Sequence, residues 1–150
     1  MKLSKKEILE YQQNKPPYLM IDQADKVVPG KSAKGFKYLD PSEWFFDVHW
    51  PSDPNMPGML QVESLIQMCA LSLLTLPGNK GKLVYVISAN NLKFKRKIIP
   101  KDKLDIETNI ISYNRGLAKC EGTGKVNGEL ACSAHFNIIL PHVLEKYKIK

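Results

Sequence analysis

The spacing of apolar residues changes character several times along the chain, and each change marks a different element. Behind Ser4 the apolar positions recur at helical intervals, and Glu7 stands three residues on, as in a capping box; a short amphipathic helix is predicted over 4–13, stopped by Pro16 and Pro17. Tyr18 to Val28 and Ser32 to Leu39 read as two strands hinged at Pro29-Gly30. Asp40 to Asn55 fits neither period: it is rich in aromatics, prolines and acids, too long for a simple connector, and so a place to look for function.

From Pro57 to about Leu76 apolar residues fill every face, including Met59, Leu60, Val62, Leu65, Ile66, Met68, Leu71 and Leu74. A helix that is apolar all round is expected to be buried all round, and Pro77-Gly78 ends it. The period then falls to two. Leu83 to Ile99, Lys103 to Ser112, Leu117 to Val126 and Leu130 to Leu140 are predicted strands, divided by turn signals that include Asn127-Gly128. In the last of them Leu130, Cys132, Ala134, Phe136, Ile138 and Leu140 share one face, and Ser133, His135 and Asn137 the other. One long buried helix with five or six antiparallel strands predicts an α+β fold, the sheet wrapped around the helix over 57–76.

Composition narrows the class. A chain of 150 residues, 43% hydrophobic and 25% charged, suits one globular domain over 1–150, with a basic tail from 141 to 150 in which the Lys146-Lys148-Lys150 end is expected to be disordered. The N-terminus alternates charge with apolar residues where a signal peptide would need an apolar run, and no stretch predicts a membrane span, so a cytoplasmic protein without membrane contact is expected. The net charge of +7 favours acidic partners. Cys69, Cys120 and Cys132 are an odd number without metal-ligand spacing; buried free thiols are expected, and no metal site.

The chemistry concentrates between His49 and Gln67. Glu63 is a lone carboxylate in the apolar helix, where lost hydration either raises its pKa, demands a partner, or places it on a cavity. The bland reading is a solvated gap or a pairing lysine. Gln67, one turn on, is positioned to hold the carboxyl group. His49 by itself is an ordinary loop histidine, and His135 and His142 have no partner in sequence. The prolines of the loop, ending at Pro57, lead rigidly into Gly58 at the helix start, where free amides and the helix dipole favour an oxyanion. A base, an acid and an anion-binding amide therefore arise close together. They are the parts needed to take a proton beside a thioester carbonyl, hold the charge on its oxygen and protonate a departing β-hydroxyl.

The string His49-Trp50-Pro51, Pro54, Met56-Pro57-Gly58, Leu60 and Glu63 closely resembles the signature of the FabZ-type 3-hydroxyacyl-[acyl-carrier-protein] dehydratases of the hot-dog superfamily. Leu92-Lys93-Phe94-Lys95-Arg96, Ile98-Ile99-Pro100, Asp102 and Leu104 downstream, and Pro17 to Asp22 upstream, extend the resemblance over about 16–140. It implies a homodimer, in many members a trimer of dimers, with each active site shared between subunits: His49 as base from one, Glu63 as acid from the other, and the Gly58 amide on the thioester oxygen. The implied reaction turns a (3R)-3-hydroxyacyl carrier thioester into the trans-2-enoyl product in fatty-acid or related biosynthesis, without cofactor. It further implies that a basic surface, for which Lys95, Arg96 and Lys97 are the candidates, docks the acidic acyl carrier protein.

The chain also departs from the pattern. Val48 stands where the family has glycine, Trp50 replaces the commoner phenylalanine, and Ser64, Leu65 and Ile66 stand where smaller or more flexible residues are usual. The competing readings are another acyl-thioester enzyme of the superfamily, a thioesterase or an enoyl hydratase, and a noncatalytic acyl-binding partner subunit. A nucleic-acid module ranks last, since the basic residues lack a stacking-aromatic motif.

Overall fold

The computed structural model describes residues 1–148. Its first helix, α1 (Lys5–Tyr11), begins at Ser4, whose side chain accepts from the Glu7 amide while the Glu7 carboxylate accepts from the Ser4 amide, so the capping box is formed. The helix is shorter than the expected 4–13. Strand β1 (Gln23–Val28) pairs with β2 (Ser32–Tyr38), and the turn between them holds Gly30 at φ 76. The strand expected from Tyr18 begins only at Gln23. Leu19, Met20 and Ile21 are buried in an irregular segment whose backbone is bonded by the Gln67 side chain instead of a strand.

The irregular 40–55 segment contains a one-turn helix, α2 (Trp44–Val48), that drives Phe45 and Phe46 into the core. The central helix α3 (Gly58–Leu74) follows, closed at Thr75, and is two residues shorter at its end than the apolar run suggested. Strands β3 (Tyr85–Phe94), β4 (Lys103–Asn114), β5 (Leu117–Val126) and β6 (Glu129–Ile139) complete a six-stranded antiparallel sheet in the order β1-β2-β4-β5-β6-β3. The helix packs against the middle strands, with Leu65, Met68 and Leu71 fully buried beneath it. Sheet and helix thus form one hot-dog architecture of the α+β class.

Two parts of α3 depart from burial on every side. Its first turn is open, with Met59 61% exposed, and Glu63 lies only half-buried on a cavity. Strand β3 departs further: it is an edge strand whose Tyr85, Val86, Ile87 and Phe94 all face outward. The outer edge of this ten-residue strand is unpaired among the described residues, and with its exposed Tyr85, Val86, Ile87 and Phe94 it forms a template for another strand. The strand also ends at Phe94, so Lys95 and Lys97 belong to the loop after it and do not continue its alternation.

Of the tail end expected to be loose, Lys146 lies in an ordered turn. Pro141–Leu144 forms α4 and Glu145–Tyr147 a 3-10 turn, while Lys148 pairs with Glu145 and Lys150 lies outside the described residues. His142 Nε2 lies 2.9 Å from Asn79 Oδ1, and the Asn79 amide in turn donates to the Leu73 carbonyl at the end of α3. His135 also has partners: Nδ1 is 3.1 Å from the Asn91 amide and Nε2 3.5 Å from Glu121. The three cysteines are buried and free.

Candidate active site

His49 closes α2: its amide donates to the Phe45 carbonyl at 2.8 Å, and its ring is half-buried. Nδ1 lies 3.1 Å from the Asn55 carbonyl oxygen. That oxygen can only accept, so in the neutral ring Nδ1 carries the proton and Nε2 presents its lone pair outward. The loop that follows the histidine thus fixes its tautomer and leaves Nε2 able to accept a proton.

Val48 raises no conformational difficulty. It completes α2 with helical backbone, and the left-handed position lies at Trp50, with φ 55. A glycine before the histidine is therefore not demanded by this backbone, and the Val48 side chain is largely in solvent.

Gly58 opens α3. Pro57 accepts from both Leu60 and Gln61 at 3.0 Å, whereas the Gly58 amide makes no hydrogen bond among the described residues and points into the free end of the helix dipole. A Cβ here would meet the Phe94 ring at 3.0 and 3.1 Å, so glycine lets the helix start press against that ring. Beside Gly58 lies a cavity of about 350 Å³ lined by Asn55, Met56, Gln61 and the Phe94 to Lys97 segment. Gln61 is buried, donates to the Met56 carbonyl at 3.0 Å and leaves its own oxygen without a partner.

Glu63 opens onto a different space. A cavity of about 410 Å³ runs between α3, residues Gln12 to Asn14 after α1, and the Lys82 to Val86 approach to β3. Along α3 it is floored by Glu63, Ile66, Gln67, Ala70 and Leu74, the i, i+3, i+4 stripe of one helix face. From Glu63 to Leu74 this stripe advances about 16 Å (74 − 63 = 11 residues at ~1.5 Å). Burial raises the Glu63 pKa above the ordinary carboxylate range, and the nearby Gln67 amide offsets part of that rise. The carboxyl group is thereby held toward its proton-giving form. Burial first, and then the Glu63 charge, also raise the neighbouring Tyr18 phenol.

Gln67 lies close enough to Glu63 to act on its carboxyl, as expected, and it has a second task that the sequence did not announce. Its oxygen accepts from the Met20 amide at 2.7 Å and its NH₂ donates to the Tyr18 carbonyl at 3.0 Å, so it fastens the segment before β1 to the helix. Of Ser64, Leu65 and Ile66, which depart from the family pattern, only Ile66 lines the cavity; Ser64 and Leu65 are buried away from it. Ala70 and Leu74 were missed, although their spacing from Glu63 was visible in the sequence. Arg96 is committed internally, to Glu129 at 3.2 Å and Asp102 at 3.6 Å, and Lys97 pairs with Asp53 at 2.5 Å. Lys95 makes no ion pair among the described residues and is exposed.

The cavity that Glu63 lines is not lined by His49 or Gly58. An acid over an acyl-sized groove in one place, a fixed-tautomer histidine and a free helix amide in another, and an apolar strand edge define a hot-dog protein with the parts of acid–base chemistry. A family model described as a FabA-like domain matches residues 13–135. The chain is 40% identical to the FabZ 3-hydroxyacyl-[acyl-carrier-protein] dehydratase of Clostridium novyi over 87% of its own length and 92% of that protein's. It is 34% identical to the Bacillus subtilis protein of the same name, over 92% and 98%. The chain therefore belongs to the FabA-like family, among the FabZ dehydratases, and is an enzyme of the hydro-lyase class. Among solved structures it resembles a dehydratase heterocomplex, ApeI:P, from Xenorhabdus doucetiae, with TM-score 0.75 at 13% identity over 94% of this chain and 97% of that one. A hypothetical thioesterase from Streptococcus pneumoniae with coenzyme A gives 0.60 at 13% identity over 78% and 83%. At that identity both likenesses establish the fold alone.

Proposed function

We propose that the protein removes water from 3-hydroxyacyl-[acyl-carrier-protein] in fatty-acid biosynthesis, at a site completed by two copies of the chain. His49 Nε2 takes the α-proton, the freed electron pair forms the Cα–Cβ double bond, and the Cβ–O bond breaks as Glu63 gives its proton to the leaving hydroxyl, releasing water. The Gly58 amide faces the thioester oxygen as charge develops there. Proton transfer between the resulting imidazolium and carboxylate restores the starting state. The observation that carries this reading is the separation of the two groups. Each has the environment its role needs, yet they open onto different spaces of one chain, and the unpaired apolar edge of β3 is where a second copy supplies the missing half.

The acidic carrier is met by the +7 charge of the chain, and Lys95 is the cation best placed to meet it, with Arg96 and Lys97 shared with internal carboxylates. Incubation with a 3-hydroxyacyl carrier thioester is expected to give enoyl product with the thioester intact; free thiol without enoyl product would assign hydrolysis instead.

The acyl chain runs along the stripe from Glu63 toward Leu74. Ala70→Phe fills that groove midway, and turnover of the longest accepted substrates is expected to fall roughly 10-fold or more while short ones change little. Rates over a chain-length series check this, and a uniform loss across all lengths would argue for damage to the helix instead.

A further inference from the structure

Strand β2 puts Ala33, Gly35 and Lys37 on its inward face, and Lys37 is among the most deeply buried side chains of the molecule, 2% exposed. Its ammonium group reaches a single described acceptor, Glu43 Oε1, at 2.7 Å. A lysine has three protons to place, so burying it for one bond is an expensive arrangement that hydrophobic residues of similar size would match in stability. What it achieves is position. Glu43 is the residue from which α2 starts, and its side chain makes no cap to the helix because it is drawn to Lys37. A helix of five residues has no stability of its own. Its place is set at the start by Lys37–Glu43, in the middle by Phe45 and Phe46, and its last turn carries His49, whose amide is bonded to Phe45.

We infer that the buried Lys37–Glu43 ion pair is a positioning device for the reaction, tethering α2 to the sheet so that His49 is held in register with Asn55 and with the substrate. Neither residue touches the reacting atoms; both act through the helix. The inference rests on His49 being the base, and part of its test does not.

The test removes both charges at once with Lys37→Met/Glu43→Leu, and separately cuts the tether with Lys37→Met, which leaves Glu43 free to turn to solvent. Each is compared with the wild-type enzyme in thermal melting, in steady-state kinetics on a 3-hydroxyacyl carrier thioester, and in the ¹⁵N signals of the His49 ring. In whichever variant melts near the wild type, kcat is expected to fall by roughly 10-fold or more with KM within about 2-fold, since a displaced base weakens the chemical step and leaves the acyl groove untouched. The ring is expected to lose its fixed Nδ1–H form and become a mixture of tautomers. A folded variant with wild-type kcat and an unchanged ring signal overturns the inference, as does a loss carried by KM alone. If neither variant folds, the pair is a stability element and the inference also falls. A wild-type protein without dehydratase activity would sink the proposed reaction while the ring signal still decides the tether.

Discussion

His49→Ala is expected to lower kcat by roughly 10²- to 10⁴-fold while the protein remains folded, because it removes the proposed base and leaves the groove, the Gly58 amide and the core in place. The ring is only half-buried and makes one polar contact among the described residues, to the Asn55 carbonyl, so little packing is lost with it. KM is expected to change far less than kcat, since proton removal belongs to the transition state and the proposed acyl groove, along Ile66, Ala70 and Leu74, is left intact. Single-turnover measurement of enoyl formation reads this directly. A His49→Ala enzyme with kcat within a few-fold of wild type would remove the imidazole from the mechanism.

Glu63→Gln is expected to lower kcat by roughly 10²-fold or more, through loss of the proton that the leaving hydroxyl requires. It carries a second signature. The folded-state pKa of Glu63 is raised by burial, so folded protein holds this proton more tightly than unfolded chain does. The stability tied to the protonated carboxyl is fully present below the unfolded value, about pH 4, and is lost as pH rises through the higher folded value. Glutamine has no charge to bury. The variant is therefore expected to melt with the wild type in acid and above it at neutral pH, giving a more stable and less active enzyme. Thermal melts across that range check the sign, and a variant less stable than wild type at neutral pH would mean that the carboxylate is paired and not merely desolvated.

Much of this was legible in the chain. The change from helical to alternating period placed α3 and the last three strands, because both depend on local sequence and on one apolar face per element. The Ser4–Glu7 capping box was readable for the same reason. What failed to show were features decided by tertiary contact. Tyr18 to Asp22 has strand-like residues, yet its backbone is bonded by Gln67 from the helix, a side chain 47 residues away from Met20. The one-turn α2 is too short to have a period and exists because Phe45 and Phe46 are buried and Glu43 is tethered. The tail is held by contacts distant in sequence, His142 to Asn79 and the Leu140 amide to the Gly116 carbonyl among them.

The site divides in the same way. The motif singled out His49, Gly58 and Glu63 as candidates, and the apolar surroundings of Glu63 announced its raised pKa. The Asn55 carbonyl that sets the histidine tautomer could not be read, since any backbone carbonyl serves and only the loop's path selects one. Lys37 left a faint trace, as a lysine at the inward phase of an alternating strand. Arg96 and Lys97 read as free basic residues until the fold brought Glu129, Asp102 and Asp53 beside them.

The shared site is tested most directly by mixing. His49→Ala and Glu63→Gln subunits, each inactive alone, are unfolded together and refolded, or exchanged until they pair at random. Half of the dimers are then mixed, and each mixed dimer rebuilds one site from the intact Glu63 of one subunit and the intact His49 of the other, so activity should return to about one quarter of the wild-type level. If both groups act within one chain, no pairing restores a complete site. A mixture that stays as inactive as its components would contradict a site shared between subunits.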